Sequence, residues 1–585
     1  MKWPSLQSLF NDIQRVILRF PLQVLVTLLA ILTSFKLIDF KGNATAEWNL
    51  MELLFLCNLA LVFLLSADLF AEASKLDKVK KWSLRLLCLA ICTLLYFTLQ
   101  PHLNNADKFR IGLLAFSFHL LVAFAPFIKQ GNLPGFWEYN KLLFLRILTA
   151  GLYAAVLFAG LSIALVAVNG LFNVKIESAV YLRLLTVVGI GFTTLFFLAG
   201  VPADFNKINT IQDPYPKGLK IFTQYVLIPL LSIYLVILLV YEAKILVSWE
   251  LPKGMVSTLI LGYSVFGVLS LLLVYPIKEQ EGNGWIRLFS RWFYLMMIPL
   301  VVLLLLAVWK RVGNYGITEP RYILIILALW LSIITGYFLI SRKDNIKIIP
   351  VSLCILALLA TYGPQSAFSV SRYSQIQRLK KLINAKDARA LREKPEIIRY
   401  LVLNHGLETL QSFTNADLPK LNQNMEQRAA LSKRSSYQLE NDLVDTAYAL
   451  LKVDKTAAKG RRSAVFVVAQ EQGVVAIKGF DYVVPVDSYA AKFEGTLNGA
   501  LLKVEKVGNN NLSVKIADQP AVVIDVNATV NAFKNVDQLP GDGIRVTVNT
   551  KQHELTLVIK ELNYSTDPDG EEDLNYKGYL LFKIK

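Results

Sequence analysis

The sequence predicts an α-helical polytopic membrane protein of about 11 transmembrane helices, followed by a C-terminal soluble α+β domain that ends in a β-rich module. Three observations carry this. The 585 residues are 54% hydrophobic with a mean hydropathy of +0.46, above the roughly 45–50% apolar content of soluble chains. Apolar runs of about 20 residues, the length that crosses a bilayer as a helix, recur from Pro21 to Tyr362. From Ser371 onward the composition is that of ordinary water-soluble sequence.

The elements follow in chain order. Leu6, Leu9, Phe10, Ile13, Val16, Ile17 and Phe20 repeat at helical spacing, with Asp12, Gln14, Arg15 and Arg19 between them, so residues 1–20 read as an amphipathic helix on the membrane surface. No small-residue cleavage site follows the next apolar run, and no cleaved signal peptide is expected. Spans are expected to begin near Pro21, Trp48, Trp82, Arg110, Lys141, Leu182, Lys220, Met255, Trp292, Arg321 and Ile346, giving a transmembrane domain over 21–366. Residues 367–458 read as a helical juxtamembrane region punctuated by Pro395. The stretch Lys459-Gly-Arg-Arg reads as a hinge into a β-rich soluble module over 459–585. There, "AVFVVAQ", "GVVAIKG", "LSVKIA", "IRVTVNT" and "LTLVIKEL" alternate between Gly, Asn and Asp turn signals.

Charge follows the same division. From Ser371 to the end there are 30 Lys and Arg against 26 Asp and Glu, so most of the net charge of +17 belongs to the membrane half. These cations sit in short loops between apolar runs, which makes the lipid bilayer the expected partner and excludes nucleic acid. The flanks on the side of the N-terminus carry about 18 Lys and Arg against about 11 opposite, so the positive-inside rule places the N-terminus in the cytoplasm of a bacterial inner membrane. An odd span count sends the C-terminal domain to the extracytoplasmic side. Cys57, Cys88, Cys92 and Cys354 all lie in apolar runs, so no disulfide framework is expected; Cys88 and Cys92 share a helix face without any His or acid to complete a metal site.

The motif that invites a functional reading is "PKG", at the mouth of two consecutive spans, "DPYPKGLKIF" and "ELPKGMVSTL". Pro suits a first helical turn, Lys217 and Lys253 suit the interface, and Gly218 and Gly254 allow close helix approach. Consecutive spans run antiparallel, so the two copies face opposite membrane surfaces, each a helix N-terminus that favours an anion. The over-long run between them carries Gln224, Tyr225, Pro229, Glu242 and Lys244, polar groups that should face protein, cavity or interface. His119 stands midspan as a candidate proton relay, with a hydrogen bond between helices as the simpler account. Arg85 and Arg146 are expected to snorkel, and the first half of the membrane domain shows little intramembrane charge. In the tail, Asp567, Asp569, Glu571 and Asp573 resemble a calcium loop; its Gly570 arrives too early for an EF-hand, and an acidic hairpin turn explains the stretch more simply. No phosphate-loop, nucleophile-elbow, zinc-helix or dinucleotide fingerprint appears in a supporting context, so no catalytic residue, metal or cofactor is assigned.

The run "DPYPKGLKIFTQYVLIPLLSIYLVILLVYEAKIL" followed by "LPKGMVSTLILGYSVFGVLSLLLVYPI" resembles a bacterial multi-pass membrane family, domain of unknown function 4153, over roughly Leu133 to Gly363. The resemblance implies a bacterial membrane location and supplies no catalytic residue. Three functions are weighed: a transporter of a small or anionic solute; a non-catalytic sensor or envelope assembly factor that binds a partner through its C-terminal domain; and a polytopic glycosyltransferase. The third ranks last because the first external loop, near Asp39 to Glu47, is too short to build a sugar-phosphate site beside a metal.

Overall fold

The computed structural model describes residues 6–40, 44–98, 105–129, 132–205, 208, 215–248, 255–278, 280, 283–341, 344–431, 436–453, 465–468, 475–488, 492–497, 499–507, 511–517, 519–526, 542–566 and 572–585. The chain divides into two compact units: Met1–Lys381 with Ile397–Leu451, and Leu382–Glu396 with Lys452–Lys585.

The first unit is helical. α1 (Leu6–Arg19) turns at Phe20 into α2 (Pro21–Ile38), with Pro21 at the first position where a missing N–H is harmless. Then come α3 (Ala44–Ala73), α4 (Lys78–Thr98), α5 (Asn105–Phe124), α6 (Leu133–Phe172) and α7 (Ser178–Ala199). α8 is continuous through Lys217–Phe222, Thr223–Leu227 and Ile228–Ser248, and is followed by α9 (Met255–Val274), α10 (Gly284–Tyr315), α11 (Glu319–Ile340) and α12 (Ile348–Thr361). Among the described residues, ten helices are long and apolar enough to cross a membrane, so the chain is a multi-pass membrane protein.

The expected eleventh span is α12, whose 14 residues give only about 21 Å at 1.5 Å per residue. It nevertheless runs alongside α5 from end to end. Lys347, just before α12, donates to the carbonyl of Phe127 beyond the end of α5 at 2.8 Å, and Cys354 contacts the carbonyl of Ser117 at 3.3 Å. At the other end the Tyr362 ring lies 5.7 Å from the Arg110 guanidinium, near the start of α5. α12 therefore begins where α5 finishes and finishes where α5 begins.

Two helices carry a π-turn, α7 over Val187–Phe192 and α8 over Thr223–Leu227. In α8 the N–H of Ile228 bonds the carbonyl of Thr223, five residues back. Pro229 follows at once and brings no N–H of its own, so the widened turn lies where a regular ladder could not continue.

Helices continue through α13 (Ala367–Leu382), α14 (Ala388–His405), α15 (Leu418–Leu431) and α16 (Ser436–Leu451). The two units share this stretch, because Leu382–Glu396 groups with the strands. The strands are β1 (Val465–Val468), β2 (Tyr482–Asp487), β3 (Lys492–Leu497), β4 (Ala500–Val507), β5 (Asn511–Ile516), β6 (Val522–Ile524), β7 (Ile544–Asn549), β8 (His553–Thr566) and β9 (Glu572–Ile584). One antiparallel sheet has the order β1-β8-β9-β2 with β7 also pairing with β8; the other is β3-β4-β5-β6. Val504 and Leu512 from one sheet and Leu557 and Phe582 from the other pack into one core. The expected strand at "GVVAIKG" does not form in its described part, where 475–479 is irregular and ends in a turn with Gly479 at φ 90°.

Candidate functional site

The first half of the membrane helices holds a charged network, which corrects the expectation of little intramembrane charge there. Asp68 of α3 and Arg85 of α4 are both buried, and Arg85 grips the carboxylate with Nε at 2.8 Å and Nη2 at 3.2 Å. Gln23 of α2 donates to the same carboxylate at 2.8 Å. One turn further along α3, Glu72 accepts from Arg19 of α1 at 2.8 Å and from Lys81 of α4 at 2.9 Å. Arg19 also donates to the carbonyls of Val201 and Pro202, each at 2.7 Å. Arg85 therefore does not snorkel: an ionised group in a dry bundle is held by a paired carboxylate, and Asp68 supplies it. Arg146 does not snorkel either. It donates to the Phe196 carbonyl from Nε at 2.9 Å, in the last turn of α7 where carbonyls lack helical partners, and stacks 3.7 Å over the Phe196 ring. Gly200 makes that possible, since a Cβ there would stand 1.9 Å from the Arg146 Nε.

At the start of α11, Glu319 is buried and meets three groups from α13 and α14. Ser371 donates to its Oε1 at 2.8 Å, His405 Nε2 lies 3.1 Å from the same oxygen, and Tyr400 donates to Oε2. Ser371 Oγ also lies 3.4 Å from His405 Nε2. A Ser–His–acid hydrolase needs the acid on one ring nitrogen and the serine on the other. Here both meet Nε2, so the cluster is a latch between helices. Burial, with the Glu319 carboxylate adding to it, pushes the Tyr400 phenol above its ordinary range, which keeps it a donor.

The arrangement suited to holding a ligand lies in the second half. A cavity of about 290 Å³ is walled by the end of α9, the first turns of α10, the end of α11 and the start of α12. Lys278, Arg287 and Arg291 line it on the basic side, with Ser290, while Leu271, Leu272, Phe338, Leu339, Ile346 and Ile349 form an apolar wall. Asp344 is the one carboxylate among the described lining residues, and it is engaged by Lys278 at 2.5 Å. Tyr275 fixes the same segment by donating to the Asp344 carbonyl at 3.1 Å. Among the described lining residues three cations and one carboxylate stand beside an apolar wall, a chemistry that suits an anion.

The sequence-predicted residues lie elsewhere. Lys217 and Gly218 are exposed at the start of α8, and no described residue comes within 4 Å of the position of a Gly218 Cβ. Lys253 and Gly254 fall outside the described residues. Gln224 and Tyr225 ride on the α8 π-turn, half-buried and 68% exposed respectively. Glu242 is half-buried and has no hydrogen bond or ion pair to a described residue; it stands about 38 Å along the axis from Lys217, so the two share no site. His119 is exposed, its Nδ1 bonded to the Ala115 carbonyl one turn back at 2.7 Å, which is local helix chemistry rather than a relay. Of the acidic loop, Asp567, Asp569 and Glu571 fall outside the described residues, and Asp573 lies on β9 opposite Ser565 of β8. Among the described residues no three His, Cys, Asp or Glu side chains gather as metal ligands.

Lys278, Arg287, Arg291 and Asp344 were not singled out from the sequence, although a signal exists. "RW" at Arg291-Trp292 and "WKR" at Trp309-Lys310-Arg311 bracket the apolar part of α10 with Trp inside and cation outside, marking the two membrane interfaces.

A family model described as Domain of unknown function (DUF4153) matches residues 13–393. An uncharacterized protein of Pasteurella multocida is 26% identical over 292 residues, 49% of this chain and 48% of that protein, so the chain spans about half the length of the relative it matches. No solved structure matches. The matched residues take in α2 to α12, the network and the cavity, and cover more than half of the sequence; the chain belongs to the family Domain of unknown function (DUF4153).

Proposed function

We propose that the protein is a carrier of a small anionic solute in the bacterial inner membrane, with its N-terminus in the cytoplasm and its C-terminal domain extracytoplasmic. The observation that carries this reading is the excess of cations, Lys278, Arg287 and Arg291, over carboxylates among the described residues that line a cavity between membrane helices. The topology is supported by the Lys and Arg excess on the N-terminal side and by α12, which, counted as a crossing, makes the number of spans odd. The test is anion flux into proteoliposomes that contain the full chain. The double variant R287Q/R291Q is expected to reduce flux of phosphate or a dicarboxylate at least about tenfold while the protein still inserts; no flux of any anion by the unaltered chain sinks the reading. A reporter fused after Lys585 checks the topology, and a cytoplasmic signal overturns it.

A second reading, a sensor or assembly factor, is favoured by one feature of the strand-bearing unit. A cleft of about 440 Å³ is lined by Lys506, Lys560 and Lys577 and by Asp487, Glu505 and Glu561. Pairing of β8 with β9 slips between Ile559 and Glu561, and such a bulge re-aims Lys560. Loss of an envelope phenotype on removal of 452–585, with flux intact, would select this reading. The glycosyltransferase reading stays third, since α2 ends at Ile38 and α3 begins at Ala44.

A further inference from the structure

We propose that the cavity between α9, α10, α11 and α12 seats a phosphate ester at the level of the lipid headgroups, the anionic head of a membrane lipid being its occupant. This rests on reading the cavity as anion-binding and adds the class of the anion.

Depth is the first argument. Trp292 and Trp309 are 51% and 81% exposed on α10, and they stand about 26 Å apart along the helix, close to the hydrocarbon thickness of about 30 Å. Indole rings settle at the membrane–water interface, so Arg287 and Arg291, which precede Trp292, stand where lipid phosphates lie. Orientation is the second. Arg291 lines the cavity yet is itself exposed, and it shares a helix face with Leu288, 59% exposed, and Leu295, 42% exposed. A guanidinium set among lipid-facing leucines is reached sideways from the bilayer. The wall is the third: Leu271, Phe338, Leu339 and Ile349 suit the glycerol and first methylenes of a lipid, while the hydroxyls of Ser290 and Tyr294 line the same space beside the cations. Basic pockets between helices on the cytoplasmic side bind lipid heads by this combination.

The experiment uses the full chain in nanodiscs of phosphatidylcholine with and without phosphatidylglycerol, then native mass spectrometry of the lipid retained after detergent exchange. Retention of phosphatidylglycerol over phosphatidylcholine is expected, and R287Q/R291Q should lower it at least about tenfold. L339W, which narrows the cavity from its apolar side, should lower it too and serves if the double variant does not fold. Inorganic phosphate and glycerol 3-phosphate form the competing arm. If either displaces phosphatidylglycerol at equal concentration, the occupant is a free phosphate or phosphate ester and the lipid assignment falls while the anion cavity stands. Equal retention of phosphatidylglycerol by the unaltered chain and both variants overturns the proposal. Phosphatidylglycerol retained at the cavity without anion flux removes the carrier reading and leaves this one in place.

Discussion

The network around α1 to α4 and the cavity between α9 and α12 handle charge in opposite ways. Around α1 to α4 every carboxylate of the network accepts from at least two donors: Asp68 from Gln23 and Arg85, Glu72 from Arg19 and Lys81. At the cavity between α9 and α12, Asp344, the one carboxylate among the described lining residues, is engaged by Lys278, and Arg287 and Arg291 line the same space. The first pattern closes on itself and holds helices together, as Glu319 does with Ser371, Tyr400 and His405; the second is the one from which the carrier reading is drawn. Charge in a membrane protein is thus read by its balance of partners rather than by its depth.

That contrast can be broken in graded steps. The largest effect is expected from Asp68→Ala, which leaves Arg85 buried beside an empty position; removing one partner of a buried pair costs about 3–5 kcal/mol, read as a lowered melting temperature in detergent. D68A/R85M, which replaces the pair by apolar groups, should recover most of that loss, and failure to recover would mean that the network does more than pair charges. Glu319→Ala should cost about 2–3 kcal/mol, because Ser371, Tyr400 and His405 lose a shared acceptor, and hydrogen exchange over 397–405 should rise. Gly267→Ala in α9 should cost about 1–3 kcal/mol, since a Cβ would stand 2.0 Å from the Phe293 ring. The smallest change in stability, within about 0.5 kcal/mol, is expected for Arg291→Gln.

The Glu319 latch also has a pH signature. Burial and the carboxylate raise the Tyr400 phenol in the folded state above its unfolded value of about 10, so its contribution is complete below pH about 10 and is lost as pH rises through the folded value. Tyr400→Phe should flatten the alkaline slope of stability; an unchanged slope would remove Tyr400 from the account.

Much of this was legible in the sequence because span length and apolarity are local properties. α12 was expected near Ile346 from its apolar run although it falls short of an ordinary span. The strands at β5, β7 and β8 were visible in period-two alternation, whereas the order in which β8 takes β1, β7 and β9 as neighbours is decided by non-local packing. Asp68 was hidden inside "LVFLLSADLFAEA": its partner Arg85 lies on the next helix, and no spacing rule joins residues on different helices. The cavity was missed for the same reason. Arg287 and Arg291 look like ordinary flanking cations until Asp344 and the ends of α9 and α11 close around them.

The π-turn of α8 has an arithmetic consequence. A turn closed over five residues instead of four holds one residue more than the helix needs, as an insertion absorbed on the spot. Deleting one residue from Thr223–Leu227 should close the π-turn to α-helical pitch, leaving only the bond that Pro229 cannot donate unmade, with Lys217 and Glu242 keeping their bearings. The same deletion in the uninterrupted helix α9 would swing every residue on one side of it through about 100°, turning lipid-facing leucines inward. α8 thus carries a built-in tolerance to changes of length, at the point where Gln224 and Tyr225 stand.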